Sequence, residues 1–207
     1  MKRRPRKPPP KRRATGTTRP PRAKKLARRP KLAKRATRAA RARVPARATL
    51  ERLLTEARRR TGAEAGTVYL REKKFLRFAI VQNDLLERRV SHAEFARRLR
   101  GERLPLDRVS IATWVALTKT TVNLPAIHDY PLDRPYAVDR RIDRRLEYVT
   151  RSVLATPLRD VDGTVLGVLQ LINALDRRAR IVSFDRSDEL AVAALVQAAF
   201  PRTPTGG

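Results

Sequence analysis

The sequence predicts an α+β domain, with an antiparallel β-sheet flanked by helices, preceded by a basic N-terminal tail. Residues 1–50 contain 21 Lys and Arg, no Asp or Glu and no aromatic residue, whereas the rest of the chain holds 28 bases and all 20 acids. In that second part, apolar residues repeat with a helical period, then alternate, and finally return to a helical period. This order of elements is typical of the α+β class.

The tail, residues 1–45, is expected to be disordered. Eight of the 15 prolines lie within residues 1–50, and a chain of like charges with little apolar content cannot offset an ordering cost of roughly 1–2 kcal/mol per residue. Such a tail attracts polyanions through counterion release. Because it lacks aromatic side chains for base stacking, any DNA or RNA binding through residues 1–45 should be independent of sequence.

Other interpretations of the tail stay open. Anionic lipid would attract the same charge, although the tail has no apolar face to insert. A transit peptide would also be Arg-rich and acid-poor, although the three consecutive prolines at 8–10 suit it badly. Met1 is the only methionine, so initiation at another codon near Val44 would make the tail a translation artefact or a functionless extension.

The folded part begins with a predicted helix and a hairpin. Residues 46–61 carry apolar side chains at positions i, i+3, i+4 and i+7, and Gly62 is expected to end this helix. Residues 66–71 alternate, with Val68 and Leu70 on one face, and residues 75–82 carry apolar side chains on both faces, as expected of two strands joined by a short polar loop.

The middle of the chain gives weaker signals. Residues 92–99 predict a short basic helix, and Ser110 is a good N-cap for a following helix. Residues 121–124 form a short β-prone run. Residues 125–141 are expected to be irregular, and loops of that length are often functional.

The last elements are a hairpin and a helix. Strands at 152–158 and 164–173 are joined at Asp162 and Gly163, a strong hairpin dipeptide. The second strand is apolar on both faces, which predicts a central position in a sheet covered on both sides. A helix over 185–200 is predicted from its apolar face and its acidic first turn.

Composition excludes several classes of function. The chain has no cysteine, so zinc–thiolate sites, thiol nucleophiles and covalent bilin attachment are excluded. Two histidines, His92 and His128, make a poor metal set, and no nucleophile with a suitable base is evident, so we expect neither a metal, a cofactor nor catalysis. No apolar run approaches the ~18 residues that cross a bilayer, and no secretory segment follows the basic N-terminus. We therefore expect a cytoplasmic protein.

Three stretches resemble the GAF domain, a small-molecule sensor module. They are FAIVQND at 78–84, SIATWVALTKTTVNLP at 110–125, and YAVDRRIDRRLEYVTRSVLATPLRDVDGTVLGVLQLINAL at 136–175. The resemblance implies a GAF-like sensor domain over residues 46–201, followed by a flexible C-terminus at 202–207. It also implies a homodimer formed through the two terminal helices.

A spaced motif of phosphodiesterase-type GAF domains is present in part. The matching residues are Asn173, Phe184, Asp188 and Glu189. The family's lysine after the asparagine is Ala174 here. In the family this lysine pairs with the motif aspartate and helps hold the terminal helix over the pocket, and Arg177 and Arg178 are candidates to reach Asp188 instead. The departure weakens the prediction of cyclic-nucleotide binding more than that of the fold.

The resemblance also implies a ligand pocket between the sheet and the segment after the central helix. The candidate ligand-binding residues are Trp114, Asn123, Asp139, Tyr148, Thr150, Arg151 and Ser152. Their aromatic, amide, hydroxyl and guanidinium groups suit a purine or another planar polar ligand. For two of these residues a structural role is the alternative to ligand binding. Trp114 lies on the apolar face of its helix, and Arg151 can pair with a local acid.

Two functional hypotheses follow from the sequence. The first is a non-enzymatic GAF-domain sensor that binds a small molecule, such as a cyclic nucleotide or another purine-like metabolite, and dimerises in signal transduction. The alternative is a protein that binds nucleic acid or another polyanion through residues 1–45, with the domain serving only for dimerisation. The sequence contains no recognisable output domain, so a signal would have to be passed on through a partner, the tail or the dimer.

Overall fold

The computed structural model describes residues 44–99, 101–106, 110–126, 135–137 and 140–200. The predictions made for residues 1–43, His128, Asp139 and residues 202–207 lie outside this part of the chain. The described helices are α1 (Arg47–Thr61), α2 (Asp84–Arg89), α3 (His92–Leu99), α4 (Ile111–Thr118), α5 (Arg141–Leu146) and α6 (Arg186–Ala199). The described strands are β1 (Ala63–Glu72), β2 (Phe75–Asn83), β3 (Arg103–Pro105), β4 (Val122–Leu124), β5 (Val153–Arg159), β6 (Val165–Leu175) and β7 (Ile181–Val182).

The strands form one antiparallel sheet in the order β3-β2-β1-β6-β5-β4, with β7 paired to the end of β6. The α+β prediction is therefore confirmed. The apolar pattern of β6 correctly predicted a central strand, since β6 lies between β1 and β5 and is buried from both sides. The hairpin turn lies where Asp162-Gly163 predicted it, with Gly163 at φ 74°.

One face of the sheet is covered by the two terminal helices. Leu50 and Leu54 of α1 and Val192 of α6 pack on Val68 and Leu171 of the central strands, and all five side chains are buried. The helical spacing seen in the sequence thus corresponds to real burial, which is the dominant favourable contribution to folding. In the part of the chain described, no helix is long and apolar enough to span a membrane.

The opposite face of the sheet carries helices α2 to α5. Here Ile111 and Val115 of α4 pack on Tyr69 and Val168, and Phe95 of α3 packs in an adjoining cluster. This second layer is built from short helices, so it covers the sheet less completely than α1 and α6 do. A cavity remains between the layer and the sheet.

Four elements were absent from the predictions: α2, β3, α5 and β7. Helices α2 and α5 have six residues each, too few for a helical period to emerge or for a helix to be stable without tertiary contacts. Asn83 is 4% exposed and accepts a hydrogen bond from the backbone N–H of Leu86, so it acts as the N-cap of α2.

Candidate ligand-binding site

A cavity of about 110 Å³ lies between the sheet and helices α3, α4 and α5. Strands β1, β2 and β6 form its floor. Its polar lining residues are Thr67, Gln82, Asn83, Ser110, Asp143, Tyr148, Thr150 and Gln170, and its aromatic ones also include Tyr69, Phe78 and Phe95. Concave sites of this kind, mostly apolar with a few convergent polar groups, are the usual places where small molecules bind.

Two polar side chains without a hydrogen-bond partner among the described residues lie opposite each other on the floor of the cavity. Gln170 of β6 pairs in register with Thr67 of β1, and Thr67 is 5% exposed. Neither side chain has a hydrogen-bond partner among the described residues. Gln170 is half-buried, and both side chains line the cavity, so these two are suited to meet a polar ligand.

Gln170 and Thr67 were not selected from the sequence. A signal was present, because Gln170 is the only polar side chain in the run 165–172. The periodicity of that strand does not reveal which of its faces borders a cavity, and the register with β1 that places Thr67 opposite is a long-range property.

Aromatic side chains line one side of the floor. The rings of Tyr69 and Phe78 meet edge to face, with centroids 4.8 Å apart and an interplanar angle of 63°. This geometry is the favoured one for an aromatic pair. Together with Phe95 of α3 it gives the cavity apolar surface against which a flat ligand can pack.

A buried hydrogen-bond network holds the wall of the cavity formed by Tyr148. Its hydroxyl donates to Glu64 Oε2 at 2.6 Å and accepts from Asn173 Nδ2 at 2.9 Å. Burial, and then the neighbouring Glu64 carboxylate, raise the pKa of Tyr148 far above its usual value. The phenol is therefore neutral and held in one position at any physiological pH.

Asn173 joins this network to the segment that precedes β5. Its Oδ1 accepts from the backbone N–H groups of Arg151 (2.7 Å) and Ser152 (3.3 Å), and its Nδ2 also donates to the carbonyl of Val149 (2.9 Å). The residue is fully buried and has φ 56°, a left-handed conformation that asparagine tolerates better than most residues. Asn173 thus fixes the course of residues 149–152 beside the cavity.

Thr150 is held by a second contact. Its backbone N–H and its hydroxyl each donate, at 3.0 Å, to a different oxygen of Asp143 on α5. Thr150, Asp143 and Tyr148 all line the cavity. This bidentate contact ties α5 to the segment that Asn173 orders.

The residues predicted to bind a ligand separate into different environments. Tyr148 and Thr150 line the cavity, whereas Ser152 is buried and its hydroxyl donates to the carbonyl of Val182 at 2.8 Å. Arg151 has an exposed side chain. Trp114 is half-buried and packs against the Tyr136 ring, with centroids 5.6 Å apart. Of the six predicted residues that the structure describes, two therefore line the cavity.

Asn123 lies away from the cavity and contacts the terminal helix. Its Nδ2 donates to the carbonyl of Phe184 at 3.0 Å and to Glu189 Oε1 at 2.9 Å. Phe184 is 3% exposed and belongs to the core under α1 and α6. An amide on an edge strand therefore ties the start of α6 to the sheet, which sequence reasoning did not anticipate.

The other motif residues begin α6. Asp185 and Asp188 form a reciprocal capping box, and burial raises the pKa of Asp188. Among the described ion pairs, neither Arg177 nor Arg178 reaches Asp188. With Ala174 buried where the family has lysine, helix α6 is anchored by Asn123 and by apolar packing.

The described residues contain no group of three or more His, Asp or Glu side chains that could hold a metal ion. The cavity is a partly open, hydrogen-bonding site with one carboxylate, Asp143, between the sheet and its second layer of helices. Such a site recognises a small molecule by shape and by its polar edge.

Comparison with known proteins identifies this architecture. The sequence model of the GAF domain matches residues 45–199, so the chain belongs to the GAF domain family. This is a family of signalling and ligand-binding domains.

Solved structures agree on the fold. The GAF domain of a phosphoenolpyruvate-protein phosphotransferase from Coxiella burnetii has a TM-score of 0.54 at 15% identity, covering 82% of this chain and 88% of that one. A GAF domain/HD domain protein from Geobacter sulfurreducens gives 0.53 at 18% identity, covering 74% and 88%. The GAF domain of the Acinetobacter phosphotransferase gives 0.53 at 14% identity, covering 80% and 86%. At these identities the likeness shows the fold alone.

Proposed function

We propose that this protein is a non-enzymatic sensor that binds a small, uncharged, planar ligand in the cavity and dimerises through its terminal helices. The ligand proposal depends on two side chains of the cavity floor, Gln170 and Thr67, which have no hydrogen-bond partner among the described residues. A carboxamide offers one acceptor and two donors, which matches the amide-like edge of a nucleobase or a similar heterocycle.

The charge of the cavity supports an uncharged ligand. None of its described lining residues is Lys, Arg or His, and Asp143, the one carboxylate among them, is already engaged by Thr150. Burying an anion without a compensating cation is costly. The phosphate of a cyclic nucleotide would therefore be disfavoured inside this cavity.

The size of the cavity supports the same conclusion. Its volume of about 110 Å³ lies below the roughly 300–1,000 Å³ typical of drug-sized ligand sites. A single ring system fits this space better than a complete nucleotide. The proposed ligand is accordingly smaller than the cyclic nucleotide first considered from the resemblance.

A second copy of the chain is the proposed occupant of the outer face of α6. Residues 190–199 contain no charged side chain, although 33% of the chain is charged. Leu190 is 58% exposed, and Ala193, Ala194, Gln197 and Ala198 are exposed with it. Because the chain is so basic, an uncharged face is one place where two copies can approach without repulsion. In a two-fold dimer, this face of one copy would be buried against the same face of the other.

A thermal-shift screen tests the ligand proposal. Adenine, hypoxanthine and uracil are the uncharged probes, and cyclic AMP and cyclic GMP are the charged ones. A bound probe at a hundredfold excess over its Kd stabilises the fold by ~2.7 kcal/mol. We expect an uncharged probe to raise the melting temperature of the wild type and of Gln197→Ala, which loses an exposed carboxamide, but not that of Gln170→Leu. If no probe stabilises the wild type, or if Gln170→Leu responds equally, the proposed site is wrong.

Residues 1–45 support a second candidate function. Their positive charge, with no acid before Glu51, suits sequence-independent binding of DNA or RNA. Under this proposal the GAF domain supplies dimerisation, and two tails per dimer raise the avidity. Tight, salt-sensitive DNA binding together with no response to any small molecule would favour this function over ligand sensing.

A further inference from the structure

A second concavity lies on the outer side of the wall that closes the ligand cavity. It has a volume of about 470 Å³ and is bordered by Arg140, Arg144, Glu147 and Val149. Asp143, Tyr148 and Thr150 border both concavities. We refer to this outer concavity as the arginine cleft.

Guanidinium groups surround the arginine cleft from two helices. Arg140, the N-cap of α5, and Arg144, within α5, are exposed and have no ion-pair partner among the described residues. Arg89, at the end of α2, donates to the backbone carbonyl of Glu147 at 3.4 Å, which places a third guanidinium at the rim.

Two carboxylates, Asp143 and Glu147, also border the arginine cleft, so its three guanidinium groups exceed the acids by one charge. Both oxygens of Asp143 accept hydrogen bonds from Thr150, and Glu147 is exposed. Like charges at i and i+4 on a helix destabilise it by a few tenths of a kcal/mol. An anion bridging Arg140 and Arg144 would remove that repulsion.

We propose that the arginine cleft binds the phosphodiester backbone of a nucleic acid. Guanidinium groups match phosphate oxygens in a bidentate geometry, and three of them spread over two helices suit a repeating anion better than a single one. Val149, 53% exposed, is the one large apolar side chain that the described part exposes at the cleft. A bilayer-inserting surface needs more apolar area than this, so nucleic acid is the favoured partner.

The proposed nucleic-acid contact lies on the folded domain, on the outer side of the wall beside the ligand cavity. It requires neither ligand sensing nor residues 1–45. Both sites then share the side chains of Asp143, Tyr148 and Thr150.

Matched variants of the full chain test the proposal, because the basic tail is then identical in every protein compared. Arg140→Gln/Arg144→Gln removes two charges from the cleft. Arg177→Gln/Arg178→Gln removes two charges from the exposed turn between β6 and β7. Affinity for a fluorescent duplex DNA of about 20 base pairs is measured by anisotropy over a range of salt concentrations, where each neutralised phosphate contributes roughly −0.9 to the log–log slope.

We expect the cleft variant to lower the magnitude of the salt slope by about 1.8 and the turn variant to leave it close to the wild-type value. Melting temperatures equal to that of the wild type show that both variants are folded. Equal slopes for the two variants would overturn the proposal, because general charge would then explain the binding. So would an absence of DNA binding, or a selective loss of binding to phosphatidylserine vesicles, which would indicate a membrane.

Discussion

The Asn173 side-chain amide donates to the Tyr148 hydroxyl at 2.9 Å, and both side chains are buried. The motif asparagine of the central strand therefore positions an aromatic residue of the cavity wall directly. Glu64 completes the contact by accepting from the phenol at 2.6 Å and from the amide at 3.1 Å. A residue that belongs to a structural motif thus also sets the shape of the site.

Asn173→Asp tests this relationship with almost no change in size. The new carboxylate oxygen replaces a donor that faces Glu64, Tyr148 and the carbonyl of Val149. Loss of these buried hydrogen bonds, with like charges brought together, should lower the free energy of unfolding by about 3 kcal/mol. Urea unfolding measures it, and a loss below about 1 kcal/mol would show that Asn173 does not hold the wall.

Tyr148→Phe should change how stability depends on pH. Burial and Glu64 raise the pKa of Tyr148 in the folded protein, whereas an unfolded tyrosine titrates near 10. Above about pH 10 only the unfolded chain releases this proton, so the wild type should lose about 1.4 kcal/mol of stability per pH unit from this group.

The variant lacks this titration. At neutral pH the wild type should be more stable by about 1–2 kcal/mol, because Glu64 and Asn173 lose a buried partner in Tyr148→Phe. That difference should shrink as pH rises above about 10. Denaturant titrations at neutral and alkaline pH check it, and a constant difference would contradict the raised pKa.

Asn123→Ala should loosen the start of α6. The two hydrogen bonds to Phe184 and Glu189 are expected to contribute about 1–2 kcal/mol to the free energy of unfolding. Part of this contribution is offset, because Asn123 Oδ1 is buried without a hydrogen-bond partner among the described residues. Hydrogen exchange should accelerate in α6 and stay unchanged in β6. Thr121→Val, which removes the contact to Thr156, is the control near the same strand and should leave α6 exchange unchanged.

Leu190→Glu should weaken the proposed dimer. It places a charge on the uncharged face of α6, and burying an unpaired charge in an interface is costly. Leu117 on α4 is 51% exposed, close to the 58% of Leu190, so Leu117→Glu is a matched control. Sedimentation equilibrium should find a monomer for Leu190→Glu and a dimer for the control. Identical masses for the two variants would place the interface elsewhere.

Much of the fold could be predicted because its signals are local. The apolar pattern of β6 identified a central strand, and the apolar face and acidic first turn of α6 identified the last helix. Helices α2 and α5 could not be found this way, since six residues show no period and their stability depends on contacts such as Arg145 with Glu102, 43 residues apart. Tertiary contacts of this kind leave no pattern in neighbouring residues.

The site was less predictable than the fold. Tyr148 and Thr150 followed from the family resemblance and line the cavity, and their role in binding stays a prediction. Gln170 required knowledge of which face of β6 borders the cavity. Asn123 reaches Glu189 across 66 residues, a pairing that only the folded chain reveals.

The side-chain amide signal of Gln170 provides the most direct test of the ligand site. Nitrogen-15 NMR spectra are recorded while adenine, hypoxanthine or uracil is added, and the signal is assigned by its disappearance in Gln170→Leu. We expect one of these probes to shift the Gln170 signal in a saturable way, while the signal of Gln197, which lies outside the cavity, stays in place. A probe that binds but leaves the Gln170 signal unmoved would contradict a ligand site on the β6 floor of the cavity.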